Sequence, residues 1–156
     1  MSEQHQKFLK RLSSSAPAIF AVARWLHMKG YELMIPAIKY APTAAEHLNY
    51  VDDGDIKIRK DGGEWERIEV KGIKHKFTCR EDYPFPEFMV NSKKPVDRAN
   101  PFPKAYFIVA RDLEHCAIVM GSTRSKWYEV THNPTNTGVK ETFYATTLDV
   151  PKFIKF

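Results

Sequence analysis

Asp52-Asp-Gly-Asp-Ile-Lys-Ile-Arg-Lys-Asp-Gly-Gly-Glu-Trp-Glu-Arg-Ile-Glu-Val-Lys71 is the stretch on which the reading of the whole chain turns. Ile56 and Ile58 alternate with Asp55, Lys57 and Arg59, and Ile68 and Val70 alternate with Arg67, Glu69 and Lys71. Period-two patterning on both sides of Asp61-Gly62-Gly63 predicts a β-hairpin. To bury one face, Ile56 and Ile58 must lie on the same side as Ile68 and Val70; a slip of one residue would reverse every side chain. A three-residue loop, Asp61 to Gly63 with Gly63 left-handed, meets that condition. It sets Ile56 opposite Ile68 and Asp55 opposite Glu69. A two-residue turn would break the parity and separate the acids.

Directly opposed residues in such a ribbon have Cβ atoms about 4.5–5.5 Å apart, and like charges there destabilise the sheet. The Asp55–Glu69 pair therefore calls for a cation. Mg²⁺ takes oxygen ligands from one or two carboxylates and leaves its other positions to water and phosphate. Asp55 followed by Glu69-Val70-Lys71 on the next strand resembles the PD-(D/E)XK (restriction-endonuclease-like) nuclease superfamily, with Gly54-Asp55 where that pattern begins Pro-Asp.

The resemblance implies an α/β fold with a restriction-endonuclease-like core: an N-terminal helix packed on a mixed central β-sheet that carries a catalytic hairpin. It implies a metal-dependent endonuclease that hydrolyses DNA phosphodiester bonds with a metal-activated water. Asp55, Glu69 and Lys71 would be catalytic. Mg²⁺ (or Mn²⁺) would be held by Asp55, Glu69 and the Val70 carbonyl, and Lys71 would orient the water or stabilise charge on the phosphoryl oxygens. Many members also carry an acid on the first helix. Residues 16–29 have none, so Glu32, Glu46 or Asp53 would have to substitute. Glu46 also completes a capping box, Thr43-Ala-Ala-Glu46, and that reading is preferred. Asp52 and Asp53 either add charge to the site or face water. Two other readings stand beside the nuclease: a non-catalytic nucleic-acid-binding protein on the same fold, and an interaction protein whose charged hairpin is simply solvated.

The 156 residues suit a single domain, with 1–15 as an N-terminal extension, 16–120 as the core and 121–156 as a C-terminal loop and strands. A content of 43% hydrophobic and 28% charged residues is that of an ordinary soluble protein. No apolar run reaches membrane length and no signal-peptide core is visible, so a cytoplasmic location is expected. Cys79 and Cys116 are too few for a disulfide scaffold or a Cys-rich zinc site. The net charge of +5 favours a polyanion as partner, DNA before RNA, and a homodimer is compatible with this size. Lys74, His75 and Lys76, directly after the hairpin, and Arg124 and Lys126, beside a polar loop at 131–140, are the candidate phosphate contacts. For His75 alone, simple exposure is the preferred reading. A Gly-rich phosphate loop, a nucleophile elbow and a paired-His metal motif are all lacking in the sequence.

Elsewhere, residues 3–12 predict a short helix broken by Ser13-Ser14-Ser15, which would cap a second helix with Pro17 in its first turn. Ile19, Val22, Ala23 and Leu26 give that second helix its apolar stripe, and Gly30 ends it. Tyr31 to Tyr40 reads as an irregular or edge strand. Two Pro-Phe-Pro segments precede strands at 87–91 and 105–110, with Phe85 and Phe102 expected to pack into the core and base stacking the lesser reading. Residues 105–110 and 116–120 read as strands buried on both faces. Only a short helix fits 92–100, and 142–148 and 151–156 read as further strands.

Overall fold

The computed structural model describes residues 3–37, 46, 54–132 and 140–156. Thr43 to Ala45, Asp52, Asp53 and most of the 131–140 loop lie outside them.

Helix α1 spans Glu3–Met28 without interruption, which corrects the expected break at Ser13 to Ser15. Serine is only weakly unfavourable inside a helix, and Pro17 removes one backbone bond. Once the turns after Pro17 are anchored, extending them costs less than starting a new helix. The anchor is the predicted stripe: Ile19, Val22, Ala23 and Leu26, joined by Ala18, are buried. Gly30, at φ +86, closes the helix as expected. The Tyr31 N–H donates to the Leu26 carbonyl at 3.2 Å and the Gly30 N–H to that of His27 at 2.9 Å, a Schellman cap.

Strands β1 (Glu32–Met34), β2 (Ile56–Arg59), β3 (Glu66–Gly72), β5 (Ala105–Val109), β6 (His115–Met120) and β9 (Lys152–Lys155) form a six-stranded sheet in the order β1-β2-β3-β5-β6-β9. The β3–β5 pair is parallel and the other pairs are antiparallel. The protein is thus α/β with a mixed central sheet. Strands β4 (Phe88–Ser92), β7 (Tyr128–His132) and β8 (Glu141–Thr146) form a second sheet in the order β4-β8-β7. Between β4 and β5 lies the short helix α2 (Lys93–Arg98), and a 3-10 helix covers Gly121–Lys126.

Two cores result. On one face of the central sheet, α1 packs against Ile56, Ile58, Ile68, Val70, Phe107 and Ile118. On the other face Tyr106, Ile108, Ala117 and Val119 meet Phe88, Val90, Val96, Trp127 and Tyr144 of the second layer. All five residues of β5 are buried, as a strand covered on both faces requires. The two Pro-Phe-Pro phenylalanines do not enter either core: Phe85 is 41% and Phe102 is 42% exposed. Each extends an aromatic cluster at the surface instead, Phe85 edge-on to His75 at 5.0 Å and Phe102 beside Trp127 at 6.1 Å.

Candidate active site

The hairpin β2–β3 pairs Ile56 with Ile68, Lys57 with Arg67 and Ile58 with Glu66. This is the expected register as far as Ile56–Ile68; Asp55 lies just before β2, outside the ladder. The turn achieves it differently. Asp61 (φ 53) and Gly62 (φ 70), not Gly63, are left-handed, and the Gly63 N–H donates to the Lys60 carbonyl at 3.0 Å. That is a two-residue type I′ turn. Parity survives because Arg59 alone separates the turn from the Ile58–Glu66 pair on the first arm, whereas Glu64 and Trp65 do so on the second. One extra residue offsets the shorter turn, as a bulge does.

Arg67, Glu69 and Lys71 share the sheet face opposite α1, the face that the second sheet covers, and Asp55 meets β3 at Val70. The Asp55 Oδ2 accepts the Val70 N–H at 2.7 Å, and the Asp55 N–H donates to the Ile68 carbonyl at 3.2 Å. These two contacts fix the carboxylate at the mouth of the hairpin. Gly54, just before it, has φ +92, a conformation closed to proline. The Gly-Asp departure from Pro-Asp is therefore structural.

The expected cation beside Glu69 is present in the chain itself. Arg67 Nε donates to Glu69 Oε1 at 2.5 Å, and their side chains are only 10% and 13% exposed. Arg67 lies against Gly54, where a Cβ would stand 2.8 Å from its Cγ. Lys71, two residues beyond Glu69, has an exposed side chain. Protein crowding on one side still lowers its pKa by desolvation, with the Glu141 carboxylate opposing the shift; water on the open side screens the effect.

Tyr106 faces Glu69 across the parallel β3–β5 ladder. It is 2% exposed, and its Oη has no hydrogen-bond partner among the described residues. Burial pushes its pKa upward; the Glu69 carboxylate adds to the shift while Arg67 and Arg124 oppose it. Asn91 reaches the same place from β4, where the register with β8 shifts by one between Met89 and Asn91. Glu69, Lys71, Asn91 and Tyr106 line a crevice of about 20 Å³, room for about one water. A buried hydroxyl lacking a protein partner is costly, so Tyr106→Phe is expected not to lower the melting temperature. A drop of several degrees would show that the hydroxyl is bonded after all.

The remaining predicted residues divide. Lys74, His75 and Lys76 are exposed directly beyond Lys71. Lys126 is exposed too, but Arg124 lies over the Tyr144 ring at 3.8 Å and 3.9 Å from Asp97. Its charge is thus partly used inside the second layer. Glu32 pairs with Arg59 at 2.6 Å on the sheet edge. Glu46 is exposed, and Asp53 lies outside the described residues. No group of three or more His, Cys, Asp or Glu side chains gathers among the described residues, and no described helix is long and apolar enough to cross a membrane. Sequence reasoning missed Arg67 and Tyr106 as site residues. Parity with Glu69 was the available signal for Arg67; Tyr106 carried none, since its place depends on the β3–β5 pairing.

Compared with protein-family models, curated proteins and solved structures, the chain matches none of them.

Proposed function

We propose that the protein is a metal-dependent endonuclease that hydrolyses DNA phosphodiester bonds on a restriction-endonuclease-like core. The observation that carries this reading is the bond from the Val70 N–H to the Asp55 carboxylate at 2.7 Å, which ties Asp55 to the strand that carries Glu69 and Lys71. The element order of a helix, an acidic hairpin, a short helix and a parallel following strand agrees with the superfamily that the sequence resembles.

The donor set fits a hard divalent cation at its minimum: two carboxylates on adjacent strands, with water and substrate oxygens for the other positions. Asp55, Glu69 and the Val70 carbonyl would hold Mg²⁺ or Mn²⁺. Such an ion lowers the pKa of a bound water and polarises the phosphate. The chain's own residues do the rest. Asp55 is oriented by the Val70 amide, and Lys71 stabilises charge on the phosphoryl oxygens. Lys74 and Lys76 attract the flanking backbone. Arg67 competes with the metal for Glu69, so metal binding requires the guanidinium to yield one oxygen.

Cleavage of supercoiled, linear and branched DNA with Mg²⁺ or Mn²⁺ tests the reading, comparing wild type with Lys71→Met and Asp55→Asn. Both variants are expected to lose roughly a hundredfold or more in rate. Undiminished cleavage by Lys71→Met would remove the assignment. The Arg67–Glu69 pair favours one second reading, a nucleic-acid-binding protein that does not cut, because the acid already has its cation. Salt-dependent DNA binding with no cleavage under either metal would select it.

A further inference from the structure

The opposite face of the central sheet holds a larger feature. Among the described residues a single α-helix, α1, packs on this face of the six-stranded sheet. Beyond its last turns an apolar cavity of about 410 Å³ opens, floored by Ile58, Ile68, Ala105, Phe107, Ile118 and Met120. Ala105 is the small residue that gives the floor its depth, and Met120 is 39% exposed at the edge. Trp25 walls one side, its ring 6.0 Å from that of Phe107.

The charged side chains that line this cavity are lysines, and the Glu66 carboxylate stands beside one of them. Lys29, Lys60, Lys104 and Lys152 line it, and no acidic side chain does so among the described residues. Lys104 is held by Glu66 at 2.5 Å. Lys29 and Lys60 lie 5.5 Å over the rings of Trp25 and Tyr31, and no ion pair engages Lys152 among the described residues. The last α1 carbonyls do not offset the lysines, because Leu26 and His27 are already capped by Tyr31 and Gly30.

We infer that this cavity binds an anionic amphiphile, a molecule with an apolar body and a single negatively charged head. The volume lies within the range of about 300–1,000 Å³ typical of small-ligand sites and is too small for a partner helix. The apolar floor excludes a ligand that needs its body hydrogen-bonded, since a polar group buried there would lose its water without compensation. Lys29 and Lys60, beside Trp25 and Tyr31 at one end of the cavity, meet the head; Lys152 lies on β9, four strands from β2. The site is separate from the Asp55–Glu69 face and does not rest on the nuclease reading.

Calorimetric titration of the full chain with decanoate, against decyltrimethylammonium of equal apolar length and opposite charge, tests it. Saturable one-to-one binding of decanoate and none of the cation is expected. The Lys60→Glu variant should bind decanoate roughly fivefold more weakly, as reversal of one exposed charge implies. Met120→Trp should abolish saturable binding by filling the edge of the cavity. Both sites are exposed, so both proteins should melt with the wild type. No saturable decanoate binding, equal binding of the cationic surfactant, or unchanged affinity in Met120→Trp would each overturn the inference.

Discussion

Glu69→Ala is expected to lose about 3–5 kcal/mol of folding stability, the cost of leaving one partner of a buried ion pair uncompensated. Arg67 is 9% exposed as a residue and its guanidinium is bonded to Glu69. Removing the carboxylate strands that charge against Gly54 and the β3 backbone, where water cannot re-solvate it. Glu69→Gln keeps the shape and an acceptor, so it should lose less. Replacing both members by apolar residues, Arg67→Met with Glu69→Leu, should return near wild-type stability, because a buried pair often contributes little beyond an apolar one of equal volume. Urea denaturation of the three proteins closes the cycle. If Glu69→Ala falls within about 0.5 kcal/mol of wild type, as surface substitutions do, water reaches Arg67 and the pair is not buried in solution.

The size of this effect decides how the nuclease reading must be tested. Lost cleavage in Glu69→Ala would not separate a missing metal ligand from a weakened fold. Lys71 has no such burden, being exposed at the end of β3. Asp55→Asn retains an oxygen that can accept the Val70 N–H. Activity is therefore read from those two positions, and Glu69 reports the electrostatics of the site.

The same pair marks the boundary of what the sequence discloses. Alternation along β2 and β3 says which side chains share a face, so the Ile56–Ile68 register is legible from residues 56–70. It does not say whether a second layer covers the other face. Strands β4, β8 and β7 supply that cover, while Gly54 packs against Arg67 and Glu69 pairs with it, which makes a buried partner of what alternation reads as a surface charge. Periodicity also found the α1 stripe and its Gly30 cap, both local properties. It failed at Ser13 to Ser15, where weak residue preferences yielded to the continuity of a helix anchored from Pro17 onward. The Pro-Phe-Pro connections place Phe85 and Phe102 in the core when read from sequence. The inter-sheet space is already filled by Phe77, Phe88 and Tyr106, and that competition for volume cannot be seen in a six-residue window.

Gly54→Pro would create a Pro-Asp pair ahead of β2, and it is expected to damage this protein. Gly54 holds φ at +92, whereas proline fixes φ near about −65°. The chain would have to enter β2 from another direction. Asp55 would then lose both the bond from its amide to Ile68 and the Val70 N–H that orients its carboxylate. Gly54→Ala separates conformation from chain direction. It carries roughly 1–3 kcal/mol of backbone strain, and its Cβ, 2.8 Å from Arg67 Cγ, must push the arginine away from Glu69. Both variants should therefore melt below wild type, Gly54→Pro the lower, with faster amide exchange at Val70 as the local signature. If Gly54→Pro instead folds with wild-type stability and Val70 stays protected, the left-handed glycine is dispensable. The hairpin entry would then accept proline at position 54.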